Sequence, residues 1–124
     1  MYFKELIAYQ EAFKLAMRIF EISKTFPKEE KYSLTDQIRR SSRSVCTNIA
    51  EAYRKRIYPR HYINKLTDSD GENSETAVWL DFALACQYIN LETHLSLNSE
   101  CIEIGKLLNY MINNPDKFGS TKEY

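Results

Sequence analysis

The densest chemistry in this 124-residue sequence is cationic. Arg39, Arg40 and Arg43 precede Asn48 and Glu51, and Arg54-Lys55-Arg56, Arg60 and Lys65 follow. Tyr53, Tyr58 and Tyr62 interleave with the later group. Guanidinium groups mixed with aromatic rings hold phosphates and stack bases. Arg54, Lys55, Arg56, Arg60 and Lys65 are therefore the expected nucleic-acid-binding residues. The plain alternative is a solvated helix end whose cations offset the carbonyl dipole. It has weight because the chain is neutral overall, not basic. Arg39, Arg43 and Lys55 cannot all share one helix face with Arg40, Arg54 and Arg56, so some must turn toward neighbours. Arg39, Arg40, Asn48, Glu51, Asp70 and Glu75 are accordingly expected to serve structure or interfaces. Arg40 is expected to reach an acid on the third helix, such as Asp70, in a buried or interfacial pair.

Other chemistries find little support. There is no GxSxG, and neither His61 nor His94 has an obvious nucleophile beside it in sequence. Three scattered glycines cannot build a phosphate cradle. Asp68, Glu72 and Glu75 share helix faces, yet the Glu-x-x-His signature of di-metal bundles is missing. Asp68-Ser69-Asp70-Gly71 lacks the remainder of a calcium loop. Cys46, Cys86 and Cys101 have no clustered spacing, which fits reduced thiols in a cytosolic protein and no zinc site. No cofactor, metal or catalytic residue is expected, and the chain reads as a non-enzyme. Met1-Tyr2-Phe3-Lys4-Glu5 does not open a secretory signal. The stretch from Thr76 to Leu91 is too short and polar to span a bilayer. The expected location is the cytoplasm.

The elements that must position the cations are helical. Three Gly and three Pro in the whole chain favour few, long elements over a turn-rich sheet. A first helix from Phe3 to Lys24 carries Phe3, Leu6, Ile7, Phe13, Met17 and Phe20 at helical spacing. Tyr9, Ala12, Ala16 and Ile19 flank that stripe. Phe26-Pro27 ends the helix. Ser33-Leu34-Thr35-Asp36 has the form of a capping box for a second helix ending near Ile57. Its buried line is Leu34, Ile38, Ser41, Val45, Ile49 and Ala52. Pro59 suits the first position of a third helix running to about Gln87. Asp68 to Glu75 is poor helical sequence, and Gly71 costs about 1 kcal/mol relative to Ala. A local reading breaks the helix there. Asn90 caps a fourth helix from Leu91 to Ile112, with Leu97, Cys101, Ile104, Leu108 and Met111 inward. The expected fold is all-α, an antiparallel up-down-up-down four-helix bundle over residues 1–113 with a long third helix. Residues 114–124 are expected to be a flexible tail.

Charge is divided along the chain. Residues 1–65 hold 14 Lys/Arg against 7 Asp/Glu, and residues 66–124 hold 3 against 10. Either basic helices pair with acidic neighbours, or the bundle has one basic and one acidic face. Nine Tyr, six Phe and one Trp are many for a bundle of this size, and the first helix is apolar over a broad arc. Aromatic residues and arginine favour interfaces, so a homo-oligomer is expected.

Three segments resemble the bacterial four-helix bundle proteins encoded in intervening sequences of 23S ribosomal RNA genes, the S23-like family. They are Ala8-Tyr9-Gln10-Glu11-Ala12, the run from Phe26-Pro27 through Leu34-Thr35-Asp36-Gln37 to Arg40-Ser41, and Ser44 to Ala52 around Asn48-Ile49-Ala50-Glu51. Glu75 to Leu80 and Cys86-Gln87-Tyr88-Ile89 extend the likeness into the third helix. The resemblance implies a bundle that closes into a ring, commonly a homopentamer, and a third helix continuous through Asp70-Gly71-Glu72. Related accessory proteins of diversity-generating retroelements bind nucleic acid and a reverse transcriptase through a basic surface. The resemblance therefore implies RNA or DNA as a partner here. Two departures stand out: the neutral charge, and Ala52 where glycine usually follows the Asn-Ile-Ala-Glu run. A protein–protein scaffold without nucleic acid is the alternative function.

Overall fold

Four helices organise the computed structural model, which describes residues 2–121: α1 Ile7–Ser23, α2 Leu34–Arg54, α3 Pro59–Ala85 and α4 Leu91–Asn113. Short 3-10 turns at Phe3–Glu5, Lys28–Glu30 and Pro115–Phe118 precede, connect and follow them. Every neighbouring pair runs antiparallel. Along α2 and α3 the contacts run Arg40 with Glu75, Ser41 with Thr76, Val45 with Ser69 and Glu51 with Lys65. Asp81 with His94, Asn73 with Cys101 and Tyr62 with Met111 give the same sense for α3 and α4. Arg39 bonds Ser23 between α2 and α1, and Arg18 meets Ser96 and Glu100 between α1 and α4. Each helix thus packs on the one before and the one after, and α4 closes back on α1. This is the up-down-up-down bundle.

The inward stripes of α2 and α4 follow their sequence period. Leu34, Ile38, Ser41, Val45, Ile49 and Ala52 are buried, as are Leu97, Cys101, Ile104, Leu108 and Met111. Only part of the broad face expected of the first helix turns inward, Leu6, Ala12, Ala16 and Ile19 among it. Ile7, Phe13 and Met17 lie outside, while Ala8, Ala12, Leu15, Ala16 and Ile19 face the core. Small alanines let α1 approach its neighbours closely, which its large side chains would prevent. The first helix also starts later than expected, because Leu6 is extended between the Phe3–Glu5 turn and Ile7.

Two helix starts differ in how they are capped. Asn90 Oδ1 accepts the Thr93 N–H at 2.8 Å, as the sequence indicates. The Ser33 capping box does not form. Glu30 takes over: one carboxylate oxygen accepts from Ser33 Oγ at 2.6 Å and from the Leu34 N–H at 3.3 Å. Its other oxygen accepts from the Tyr88 hydroxyl at 2.8 Å. These bonds, Ser33 first, hold the Glu30 carboxyl below its ordinary pKa, and the Tyr88 phenol is pushed up to about 12 by Glu30. The α3–α4 corner closes with Gln87 at φ 63°, Tyr88 N–H on Ala83 O and Gln87 N–H on Leu84 O. That is a Schellman closure built without glycine.

α3 does not break at Gly71. Its poor helical sequence is overruled by tertiary bonds from its buried polar side. Ser69 Oγ donates to Val45 O at 2.8 Å, Asn73 Nδ2 donates to Cys101 O at 2.8 Å, and Thr76 and Ser41 hydroxyls meet at 2.8 Å. A polar layer therefore crosses the middle of the core. Gly71 itself faces open space.

The segment after α4 packs further than a flexible tail would. Pro115 and Ser120 are buried, Phe118 stacks edge-on against Tyr110, and Ser120 N–H bonds Pro115 O at 2.9 Å. Residues 122–124 of the expected tail lie outside the described residues. Gly119 has φ 84°, and a Cβ there would come within 3.1 Å of the Arg56 side chain. Only glycine satisfies both conditions easily.

Candidate nucleic-acid interface

The cations singled out in the sequence meet very different neighbours. Arg56 donates to Tyr53 O at 2.8 Å and lies over the Tyr53 ring, 4.2 Å from its centroid. With Gly119 pressed against it, Arg56 pins the C-terminal segment to the end of α2. Lys65 pairs with Glu51 at 3.0 Å. Arg54, Lys55 and Arg60 are exposed. Of the three interleaved tyrosines only Tyr58 is on the surface. Tyr53 is buried, and Tyr62 is fully buried with its hydroxyl donating to Met111 O. Burial pushes the Tyr62 phenol well above its ordinary pKa. The expected patch at this end of the bundle is thus reduced to Arg54, Lys55 and Arg60, with Tyr58 the one exposed ring of the three.

Arg40 finds carboxylates on α3, but not Asp70. Its guanidinium bonds Glu72 at 2.9 Å and Glu75 at 2.8 Å. Asp70 points toward α4, beside Gly105. The Arg40 side chain is 45% exposed, so the pair bridges α2 and α3 at the surface and is not buried. The geometry explains this: Glu72 and Glu75 line the α2 side of α3, whereas Asp70 is turned toward α4. Burial pushes the Glu75 carboxyl up, and the hydrogen bonds from Arg40 outweigh it, leaving its pKa lowered. Trp79 Nε1 also donates to Glu75, at 3.3 Å. Asn48 bonds Ser44 O within its own helix.

Arg39 and Arg43 are treated differently again. Arg39 Nε donates to Ser23 Oγ at 2.7 Å. Its guanidinium carbon lies 4.8 Å from the Phe20 ring centroid, and that of Arg43 lies 5.6 Å from the same ring. Among the described residues neither arginine pairs with a carboxylate. An aromatic face holds a guanidinium without cancelling its charge. Both border a groove of about 540 Å³ on the outside of α2, which also takes in Lys31, Tyr32 and Thr47. Sequence reasoning missed Phe20, Lys31 and Tyr32. The 39/43 spacing was a usable signal, since residues four apart share a helix face.

His94 Nε2 lies 2.8 Å from Asp81 Oδ1, but its Nδ1 is buried with no partner. Burial pushes the Cys46 and Cys101 thiols up to about 11 and 12. Such thiols are poor nucleophiles. Among the described residues no cluster of three or more metal-ligating side chains forms, and no helix is long and apolar enough to cross a membrane.

The sequence profile described as 23S rRNA-intervening sequence protein matches residues 4–110. The chain belongs to this family. A crystal structure of a protein of unknown function from the S23 ribosomal protein family of Bacteroides thetaiotaomicron VPI-5482 is 32% identical to it. That likeness covers 86% of this chain and 96% of the other, with a TM-score of 0.78. No curated protein sequence matches. Seen as a family member, the chain has two outer apolar faces. Phe13 and Met17 open beside Arg43 on the α1–α2 side. Val78 and Phe82 of α3, with Leu91, Leu95 and Ile102 of α4, are exposed on the other side.

Proposed function

We propose that the protein is a non-enzymatic bundle that assembles into a closed ring of identical subunits and contacts RNA or DNA phosphates through its basic side. The observation that carries this reading is the exposure of large apolar side chains on two different sides of the bundle. One is bordered by Lys14, and the other by exposed Asp81 and Glu92. Two different faces that attract each other make a head-to-tail contact, which closes into a ring when the rotation allows. Apolar patches that monomers rarely leave open support the same reading. Five subunits is the stoichiometry that the family resemblance implies.

The nucleic-acid part rests on cations that lack a carboxylate partner among the described residues: Arg39, Arg43, Arg54 and Lys55. Neutral chains can still bind phosphate when their charge is segregated. Unpaired buried thiols fit a reducing cytoplasm. The test is light scattering combined with binding of a labelled RNA at low salt. Five copies of 14.6 kDa, about 73 kDa, and binding that weakens as salt rises are expected. A particle of single-subunit mass overturns the ring. Absence of binding to RNA and DNA overturns the nucleic-acid role and leaves a protein scaffold.

A further inference from the structure

We infer that the outer groove of α2 is a site for a single nucleic-acid strand, with phosphate on Arg39 and Arg43 and an unpaired base on Tyr32. This rests on the nucleic-acid role proposed above and assigns it a place and a strand preference. The two guanidinium carbons share one ring at 4.8 and 5.6 Å, so they are at most 10.4 Å apart. Arg39 spends its Nε on Ser23, which leaves its two terminal nitrogens without an acceptor among the described residues. Planar guanidinium groups held at fixed positions suit phosphate oxygens. Asp36 is the single carboxylate among the lining residues, against Lys31, Arg39, Arg40 and Arg43. Arg40 is already bound to Glu72 and Glu75, so Arg39 and Arg43 carry the attraction.

Tyr32 supplies the strand preference. Tyr32 is 84% exposed in the connector, at the same groove, with the Lys31 ammonium 5.3 Å from its ring centroid. An exposed aromatic beside paired arginines stacks a base that is not already paired in a duplex. The same helix face carries a further cation toward its C-terminal end. Arg54 lies eleven residues beyond Arg43, about 20° away around the helix axis. A strand anchored at Arg43 would thus run toward the basic end.

The experiment measures fluorescence anisotropy of labelled poly-U and poly-dT of about 15 nucleotides, and of a matched duplex. Wild type is compared with Arg39→Gln/Arg43→Gln, Tyr32→Ala and Arg54→Gln/Lys55→Gln, after light scattering of each. The inference expects single strands to bind more tightly than duplex. It expects a loss of about tenfold or more in the groove double variant and about fivefold in Tyr32→Ala. If only Arg54→Gln/Lys55→Gln weakens binding, the groove assignment falls and the nucleic-acid role stands. Equal affinity for duplex with no effect of Tyr32→Ala overturns the strand preference. If Arg39→Gln/Arg43→Gln falls apart into single subunits, the groove is a subunit contact and the inference fails. If wild type binds none of the probes, the inference and the nucleic-acid role fail together.

Discussion

The arginines along α2 and just beyond its end share a residue type but not a fate. Arg40 is bound by two carboxylates across the helix pair, and Arg56 is wedged between the Tyr53 ring and Gly119. Arg39 and Arg43 instead rest on Phe20. A carboxylate consumes the charge, a backbone wedge consumes the geometry, and an aromatic face fixes a guanidinium while leaving both. A basic patch is therefore defined by what stands opposite each cation, and counting Lys and Arg along the chain misplaces it.

The sharpest way to break that contrast is to remove the ring. Phe20→Ala is expected to lower stability by about 2 kcal/mol, less than a fully buried Phe because Phe20 is half-buried. Urea denaturation reads this loss, and strand affinity should fall with it although both arginines remain. Gly119→Ala comes next, at about 1.5 kcal/mol. The left-handed backbone alone accounts for about 1 kcal/mol, and displacement of Arg56 adds the rest. Nucleic-acid affinity should not change, since Arg56 is a strut.

Arg40→Ala should be milder, about 1 kcal/mol or less at neutral pH, because the ion pair is half exposed and screened by solvent. Its pH dependence has a definite sign. Glu75 titrates below its ordinary value, so the pairing contributes fully above the unfolded carboxylate pKa. That contribution disappears as pH falls through the lower, folded value. Wild type and Arg40→Ala should therefore converge in stability in acid, once pH falls below the lowered Glu75 value. A difference that persists there would place the worth of Arg40 in packing. Smallest of all, Arg54→Gln/Lys55→Gln should change stability by less than about 0.5 kcal/mol.

Much of the bundle was legible in the residues. The regular inward stripes of α2 and α4, Pro59 at the start of α3 and Asn90 at the start of α4 all sit where their periodicity and chemistry indicate. α1 was partly misread because its apolar arc is broad: Phe13 and Met17 look like core, yet alanines permit the closer contact. The Ser33 cap was misread because Glu30, in the connector, competes for the same donors. For the site, the residue types were legible and their partners were not. Arg40 to Glu75, Phe20 to Arg39 and Gly119 to Arg56 are contacts between distant segments. They depend on helix register, which a one-dimensional spacing does not contain.

The most direct measurement is the salt dependence of strand binding, plotted as log affinity against log salt, for wild type and Arg39→Gln/Arg43→Gln. Each phosphate contact on a single strand contributes a slope of about −0.7, so losing both arginines should make the slope shallower by about 1.4. An unchanged slope in that variant, or the same change produced by Arg40→Gln, would contradict the claim that ring-held arginines are the ones presented to phosphate.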